Sequence, residues 1–185
     1  MWIERYNRIV DNHNIYRIEM KTAPILVFSI LAMITLKTSA QDVSAYKQEV
    51  FSKNGHTMPY RILLPKKHDV KKKYPMLLML HGARMRGDDN QAQLTHDADL
   101  FLKKEIMEEY PAIVVFPQCP KNSYWSNVGK KVSDKAFTFN FKEKEKPTQA
   151  MATLLKLVKQ LKKEYKVDEN HVYVGGLSMG GMGTL

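Results

Sequence analysis

The chain has 185 residues, of which 44% are hydrophobic, so it is long and apolar enough to fold as one packed domain. Its formal net charge is +10 at pH 7, but the lysines are scattered through otherwise periodic segments and do not interleave with aromatic residues. This distribution argues against nucleic acid as a partner. Cys119 is the single cysteine, which excludes an intramolecular disulfide and leaves the fold to depend on its core.

The segment that begins at Met20 has the composition of a signal peptide. A lysine follows Met20, an apolar run extends over residues 23–36, and two small residues precede a predicted cleavage site before Gln41. We therefore interpret residues 20–40 as a signal peptide and residues 1–19 as a mispredicted extension, and we expect a secreted or periplasmic protein. The alternative is an uncleaved N-terminal anchor, although the run is shorter than the roughly 20 apolar residues that span a membrane.

The first predicted elements after the signal peptide are strands. Residues 49–53 and 57–64 flank the dipeptide Asn54-Gly55, and this arrangement predicts an antiparallel β-hairpin. Residues 75–80 and 111–116 are continuous apolar runs. Such runs are typical of strands that are buried on both faces of a parallel sheet.

Helices and a further strand complete the predicted domain. Apolar residues recur at helical spacing over residues 97–110, which predicts a crossover helix, and more strongly over residues 147–165. Residues 117–146 lack a clear period and are interpreted as a long loop or an excursion from the main fold. Residues 171–174 are predicted to form a third buried strand. The order of these elements predicts an α/β domain over residues 41–185, with a mixed, mostly parallel sheet and an N-terminal antiparallel hairpin.

Ser178 lies in a Gly-x-Ser-x-Gly sequence directly after the last predicted strand. A serine on a sharp strand-to-helix turn takes a strained backbone conformation, and glycines at positions 176 and 180 (Gly176 and Gly180) would remove the side chains that collide there. Such a turn exposes the hydroxyl above the carboxyl ends of the strands and lets the N–H of Met179 face a developing oxyanion. The pattern predicts a nucleophile; the alternative is an ordinary glycine-rich turn.

A second motif, which begins His81-Gly82-Ala83, follows the first buried strand. Gly82 allows a close backbone turn that would present the N–H of Ala83 as a second oxyanion donor. His81 is interpreted as a structural residue that holds this loop by hydrogen bonds. Asp88 and Asp89, further along the loop, are interpreted as loop or helix-capping residues, with a substrate contact as the alternative.

Four other residues are of types that could contribute to the same site. Tyr124 and Trp125 are candidates for an apolar wall of a substrate cleft, and the alternative is packing of a long loop. Cys119 is a poor candidate nucleophile because no histidine is close to it in the sequence. His171 is seven residues from Ser178 along an extended strand, which is about 23 Å and too far for a hydrogen bond.

Four stretches of the chain resemble the α/β-hydrolase superfamily, and within it secreted bacterial hydrolases described as predicted peptidases or phospholipase/carboxylesterase-like proteins. They lie in the family's order over residues 58–185 and read MPYRILLPK, YPMLLMLHGARMRGDDN, YPAIVVFPQCP followed by YWS, and KVDENHVYVGGLSMGGMGTL. Members often carry HGAGERG in the second stretch, so the chain departs from the family where Arg84 replaces a glycine.

The resemblance implies a serine hydrolase that acts by acyl transfer on a carboxylic ester or a peptide bond, without a metal or an organic cofactor. In this family the acid and the histidine follow the nucleophile on later strands. The chain therefore resembles the N-terminal half of such a domain, truncated after the turn that carries Ser178, with the acid and the histidine outside it. The alternative is a non-catalytic fragment or binding remnant, for which half a sheet predicts an unpaired edge and an uncovered apolar face.

Overall fold

The computed structural model describes residues 42–133, 136–142 and 145–185. The predicted extension at residues 1–19 and the predicted signal peptide at residues 20–40 lie outside this range. Among the described residues, no helix is long and apolar enough to cross a membrane. The described part of the chain contains seven strands and three α-helices. In chain order they are β1 (Lys47–Lys53), β2 (His56–Leu63), β3 (Tyr74–Leu80), α1 (Lys104–Glu109), β4 (Ile113–Pro117), β5 (Val128–Ser133), β6 (Ala136–Phe141), α2 (Gln149–Glu164), β7 (Val167–Gly176) and α3 (Met179–Met182).

Strands β1 and β2 form the predicted antiparallel hairpin. Lys53 pairs with His56, so the loop consists of Asn54 and Gly55 alone. Both loop residues have positive φ, 53° for Asn54 and 73° for Gly55, as a two-residue type I′ turn requires. Strand β2 also pairs antiparallel with β4 and so joins the hairpin to the main sheet.

The main sheet has five strands in the order β1-β2-β4-β3-β7. Strands β4, β3 and β7 are mutually parallel, which confirms the predicted mixed sheet with its N-terminal hairpin. Alternate residues of β3 point to opposite faces. Met76 and Leu78 join a core cluster that includes the apolar side of α2, whereas Leu77 packs against a second cluster that contains Tyr46 and Phe116. Both faces of the sheet are therefore in contact with apolar side chains.

Helix α2 lies against the sheet along one apolar face. Its N-terminus is capped by Thr148, whose side chain accepts a hydrogen bond from the N–H of Met151. The prediction of a helix in this segment is confirmed, although the helix begins after Thr148 and not at Pro147. The buried face presents Leu154, Leu157 and Leu161 to the core.

Replacing Leu157 by alanine is expected to lower the free energy of unfolding by about 2–5 kcal/mol, because the side chain is 0% exposed and its loss leaves a cavity. The matched control is Leu155→Ala on the same helix, where the leucine is 57% exposed and a change within about 0.5 kcal/mol is expected. Denaturant unfolding of the full-length protein measures both values. Equal losses in the two variants would contradict the packing of α2 described here.

The prediction of a third buried strand is wrong in its burial. Strand β7 is longer than predicted and lies at the edge of the sheet, where among the described residues it pairs with β3 alone. Tyr173 is 53% exposed and Val174 is 47% exposed. The apolar run correctly predicted a strand, but local sequence does not reveal whether a neighbour covers it.

The predicted crossover helix over residues 97–110 is interrupted. The segment contains a 3₁₀ turn at Leu100–Leu102 and then α1, which has six residues. Lys103 between them has φ −63° and ψ 134°, an extended conformation that ends one helical segment before the next begins. The apolar residues do recur at helical spacing, but they are shared between the 3₁₀ turn and α1.

The prediction of a long loop over residues 117–146 is also wrong. Strands β5 and β6 form a separate antiparallel hairpin within this segment, with Val128 opposite Phe141. The alternation of phenylalanine with polar residues in the sequence AFTFNF is the signal that was missed.

Candidate active site

The two predicted motifs meet at the carboxyl ends of β3 and β7. These strands run parallel, and Leu80 at the end of β3 pairs with Gly176 at the end of β7. The pairing continues one residue further, because the N–H of Leu177 donates to the carbonyl of Leu80 at 3.0 Å. The chain therefore places the turn at Ser178 directly beside the loop that starts at His81.

Ser178 occupies a sharp turn between β7 and α3. Its backbone has φ 53° and ψ −112°, a sparsely populated conformation for a residue with a side chain. The turn is closed by hydrogen bonds from Gly180 N–H to the Leu177 carbonyl at 2.8 Å and from Met182 N–H to the Ser178 carbonyl at 3.1 Å. Backbone strain at a single serine, held by bonds on both sides, is typical of a site that has to aim one side chain.

Close backbone contacts explain the glycines around Ser178. A Cβ on Gly180 would overlap the carbonyl group of Leu80, and a Cβ on Gly176 would lie 2.7 Å from the nitrogen of Gly181. Helix α3 therefore approaches β3 and β7 more closely than any side chain at these positions allows. Gly82 lies at the same place, since a Cβ built on it would be 3.8 Å from the Cβ of Ser178.

Two backbone amides at this place lack an acceptor. Among the described residues, no hydrogen bond uses the N–H of Met179 or the N–H of Ala83. Met179 directly follows Ser178, and Ala83 directly follows Gly82. Free donors beside a serine hydroxyl are suited to bind a negatively charged oxygen.

The side chain of His81 fixes the loop beneath Ala83. Its Nε2 accepts the N–H of Cys119 at 2.9 Å, so Nδ1 carries the proton and donates it to the carbonyl of Gly82 at 2.7 Å. That carbonyl and the N–H of Ala83 belong to one planar trans peptide and point in opposite directions. Holding the Gly82 oxygen therefore sets the direction of the Ala83 N–H. Burial lowers the pKa of His81, which keeps the ring neutral at neutral pH.

The sequence-based assignment of Trp125 to the wall of a substrate cleft is wrong. Trp125 is 0% exposed, and its indole N–H donates to the carbonyl of His81 at 3.1 Å. A Cβ on Gly183 would approach the Cβ of Trp125 to 2.5 Å, so Trp125 lies close both to the residue that follows α3 and to the loop that starts at His81. Its contacts make it a support of the site, because no part of it is open to a ligand.

A buried amide that the sequence analysis missed anchors the rest of the loop. Gln118 is 0% exposed. Its oxygen accepts the N–H of Asn90 at 2.7 Å, and its nitrogen donates to the Met85 carbonyl at 3.1 Å and to Asp89 at 2.9 Å. Asp89 in turn accepts the N–H groups of Gln91 and of the residue after it, as expected of a capping residue. The signal was a polar residue directly after a buried strand that ends at the same edge of the sheet.

The remaining candidate nucleophile and base lie in unsuitable places. Burial raises the pKa of Cys119 to about 12, so its thiol stays protonated at neutral pH. His171 bonds to Asp168 at 2.8 Å near the start of β7, at the far end of the strand from Ser178. Within the described residues, no hydrogen bond joins a histidine to Ser178. The same residues contain no cluster of three or more side chains that could hold a metal ion.

Two cavities in the described part of the chain differ in volume and in position. A small cavity of about 20 Å³ lies beside the site, where Leu177, Gly82 and His96 contribute to its lining. It has room for about one water molecule. A wide apolar groove of about 1260 Å³ opens at the opposite end of the sheet, near Tyr74 and Tyr110. Size alone would favour the groove as a binding site, but Ser178 and Ala83 directly follow two residues that line the small cavity, Leu177 and Gly82.

A mixed sheet, a strained serine at the carboxyl end of a parallel strand and a neighbouring loop with an unpaired amide define an α/β-hydrolase. The chain belongs to the esterase family whose model carries the description “Putative esterase” and matches residues 52–185. No curated protein matches the chain significantly.

Three solved structures with a similar fold are described as esterases. A thermostable esterase is 32% identical, with a TM-score of 0.65, and the match covers 77% of this chain and 36% of that chain. A ferulic acid esterase is 20% identical, with a TM-score of 0.51 over 75% of this chain and 52% of that chain. The feruloyl esterase module of Clostridium thermocellum is 20% identical, with a TM-score of 0.51 over 77% and 48%. The chain thus spans about a third to a half of the length of these proteins.

Proposed function

We propose that the full-length protein is a serine esterase and that Ser178 is its nucleophile. The observation that carries this proposal is the positive φ of Ser178 at the end of β7, beside the unpaired amides of Met179 and Ala83. Packing does not explain the strained backbone, since Ser178 is exposed. Esterase catalysis would explain the strained backbone, the glycines and the unpaired amides together.

In the proposed reaction the Ser178 oxygen adds to the carbonyl carbon of an ester and forms a tetrahedral intermediate. The N–H groups of Met179 and Ala83 donate to its oxyanion, and such donors each contribute about 10²–10³ in rate. A general base takes the proton of the Ser178 hydroxyl during attack and gives it to the leaving alcohol, while the acyl group stays on Ser178. Water then hydrolyses the acyl-enzyme, which releases the carboxylic acid and restores the hydroxyl.

We propose that the general base is a histidine C-terminal to Leu185, oriented by an acid from the same region. The contacts of His81 and His171 support this proposal, as does the lack of a hydrogen bond from any described histidine to Ser178. Both ring nitrogens of His81 are committed to backbone partners, and His171 lies at the other end of β7. In the α/β-hydrolases the acid and the histidine follow the serine along the chain.

We propose carboxylic esters as the substrate class in preference to peptide bonds, because the matched family and the 32% identical structure are esterases. The experiment compares p-nitrophenyl acetate and butyrate with the matching p-nitroanilides, using the full-length protein. Hydrolysis of the esters at rates well above those of the anilides is expected. Faster hydrolysis of the anilides would replace the esterase proposal by a peptidase, and no hydrolysis of either would contradict both.

We also propose that the protein is exported and cleaved before Gln41. The apolar run at residues 23–36 and the small residues that follow it support this proposal. N-terminal sequencing of the protein from the culture supernatant or the periplasm is expected to begin at Gln41. A mature N-terminus at Met1, or peptides from residues 1–19 in the exported protein, would contradict the assignment.

A further inference from the structure

Arg86 directly follows the 3₁₀ turn at Ala83–Met85 and is bonded on two sides. Its Nε donates to the carbonyl of Ala83 at 3.0 Å. Its Nη1 donates to the carbonyls of Lys121 at 2.9 Å and Ser123 at 3.1 Å. The guanidinium also lies over the ring of Tyr124, with its central carbon 4.6 Å from the ring centroid. One side chain therefore ties the loop after β3 to the segment at residues 121–124.

These contacts act on the residue that presents the second amide. The Gly82 carbonyl, before Ala83, is held by His81 and by the N–H of Met85 at 3.2 Å. The Ala83 carbonyl, after it, is held by Arg86. Both peptide planes that flank Ala83 are thus fixed by hydrogen bonds, one on each side. Without Arg86, the peptide plane between Ala83 and Arg84 loses the side-chain hydrogen bond that holds it.

The contacts of Arg86 depend on the shape of its side chain. A guanidinium is a rigid planar fork that can donate from Nε and Nη1 to separate carbonyls while its face rests on an aromatic ring. A lysine ammonium at the same position could bond to some of these carbonyls but could not reproduce the stacked, forked arrangement. The neighbouring Arg84 has an exposed side chain, and the described residues give it no hydrogen bond.

We propose that Arg86 is a positioning residue: by holding the Ala83 carbonyl it restricts rotation at Ala83 and so helps His81 to keep the N–H of Ala83 in the direction required to bind the oxyanion of the transition state. This inference rests on the proposed esterase function. It adds that the rate of acyl transfer depends on a charged side chain that touches neither the substrate nor Ser178. A misdirected donor weakens binding of the transition state more than binding of the ground state.

The experiment measures kcat and KM for p-nitrophenyl butyrate with full-length Arg86→Met, Arg86→Lys and Arg84→Met. Arg86→Met is expected to lower kcat by about 10- to 100-fold, with KM changed by less than about threefold, because an oxyanion donor is misaligned and the ester site is intact. The affinity for a trifluoromethyl ketone, which forms a tetrahedral adduct, should fall by a similar factor. Arg84→Met, which removes the same charge from the same turn, should retain wild-type values.

Rescue distinguishes positioning from general loss of structure. Arg86→Lys is expected to have a kcat between those of wild type and Arg86→Met, and guanidinium ion at millimolar concentration should raise the kcat of Arg86→Met. If Arg86→Met does not fold, the inference is tested with Arg86→Lys alone. A lower kcat with little change in KM supports it. A loss through KM alone, or wild-type kcat in the Arg86 variants, would overturn the inference. Ser178→Ala is assayed in parallel, since full activity in that variant would overturn the assignment of Ser178 as the nucleophile, and no ester hydrolysis by the wild type would overturn the esterase proposal itself.

Discussion

Replacing Ser178 by alanine is expected to lower kcat for ester hydrolysis by about 10⁴-fold or more in the full-length protein. The reason is that the variant cannot form the acyl-enzyme, so hydrolysis would rely on direct attack by water at a site that keeps its oxyanion donors. Steady-state assays with p-nitrophenyl butyrate measure the loss. The binding of a product carboxylate should change little, because the hydroxyl contributes its effect in the transition state.

The backbone strain at Ser178 provides an independent control. Alanine at this position keeps the Cβ that makes φ 53° and ψ −112° unfavourable, whereas glycine removes it. Ser178→Gly is therefore expected to be as inactive as Ser178→Ala. Its free energy of unfolding should exceed that of Ser178→Ala by about 1 kcal/mol. Two variants of equal stability would show that the turn stores no strain, and an active Ser178→Ala would exclude it as the nucleophile.

Replacing Gly180 by alanine is expected to disrupt both stability and activity. The added Cβ would overlap the carbonyl of Leu80, and because the overlapped atoms are backbone they cannot shift cheaply. Helix α3 would have to move away from β3, carrying the N–H of Met179 with it. We expect a loss of about 3 kcal/mol or more in the free energy of unfolding and at least about 100-fold in kcat.

The matched control for this variant is Gly175→Ala, in strand β7 just before the turn. A Cβ on Gly175 would lie 3.3 Å from the sulfur of Met79, a flexible side chain that can move by a few tenths of an ångström. A change of less than about 1 kcal/mol is expected there. Denaturant unfolding and ester hydrolysis are measured for both variants. Gly180→Ala with wild-type stability would contradict the close contact between α3 and β3.

The sequence predicted those features that depend on neighbouring residues. The Asn54-Gly55 dipeptide defines its own turn, the apolar runs of β3 and β4 are typical of covered parallel strands, and the glycines around Ser178 follow from steric rules. Each of these patterns contains its physical cause within a few residues. The hairpin, the parallel strands and the fold class were predicted correctly for this reason.

The features that the sequence did not reveal depend on partners far along the chain. Trp125 became a support of the site because the carbonyl of His81, 44 residues earlier, accepts its indole N–H. Arg86 acts through carbonyls 35 and 37 residues away. A tryptophan in an irregular segment and an arginine in a loop give no local sign of such partners. The exposure of β7 has the same origin, since it depends on which strand lies beside it.

The central claim is that Ser178 is the residue that becomes acylated. Its most direct test is to treat the full-length protein with a fluorophosphonate and to locate the adduct by peptide mass spectrometry. We predict one phosphonyl group per molecule, on the peptide that contains Ser178, and no adduct after heat unfolding or in Ser178→Ala. Stoichiometric labelling of a different residue, or equal labelling of the Ser178→Ala variant, would contradict it.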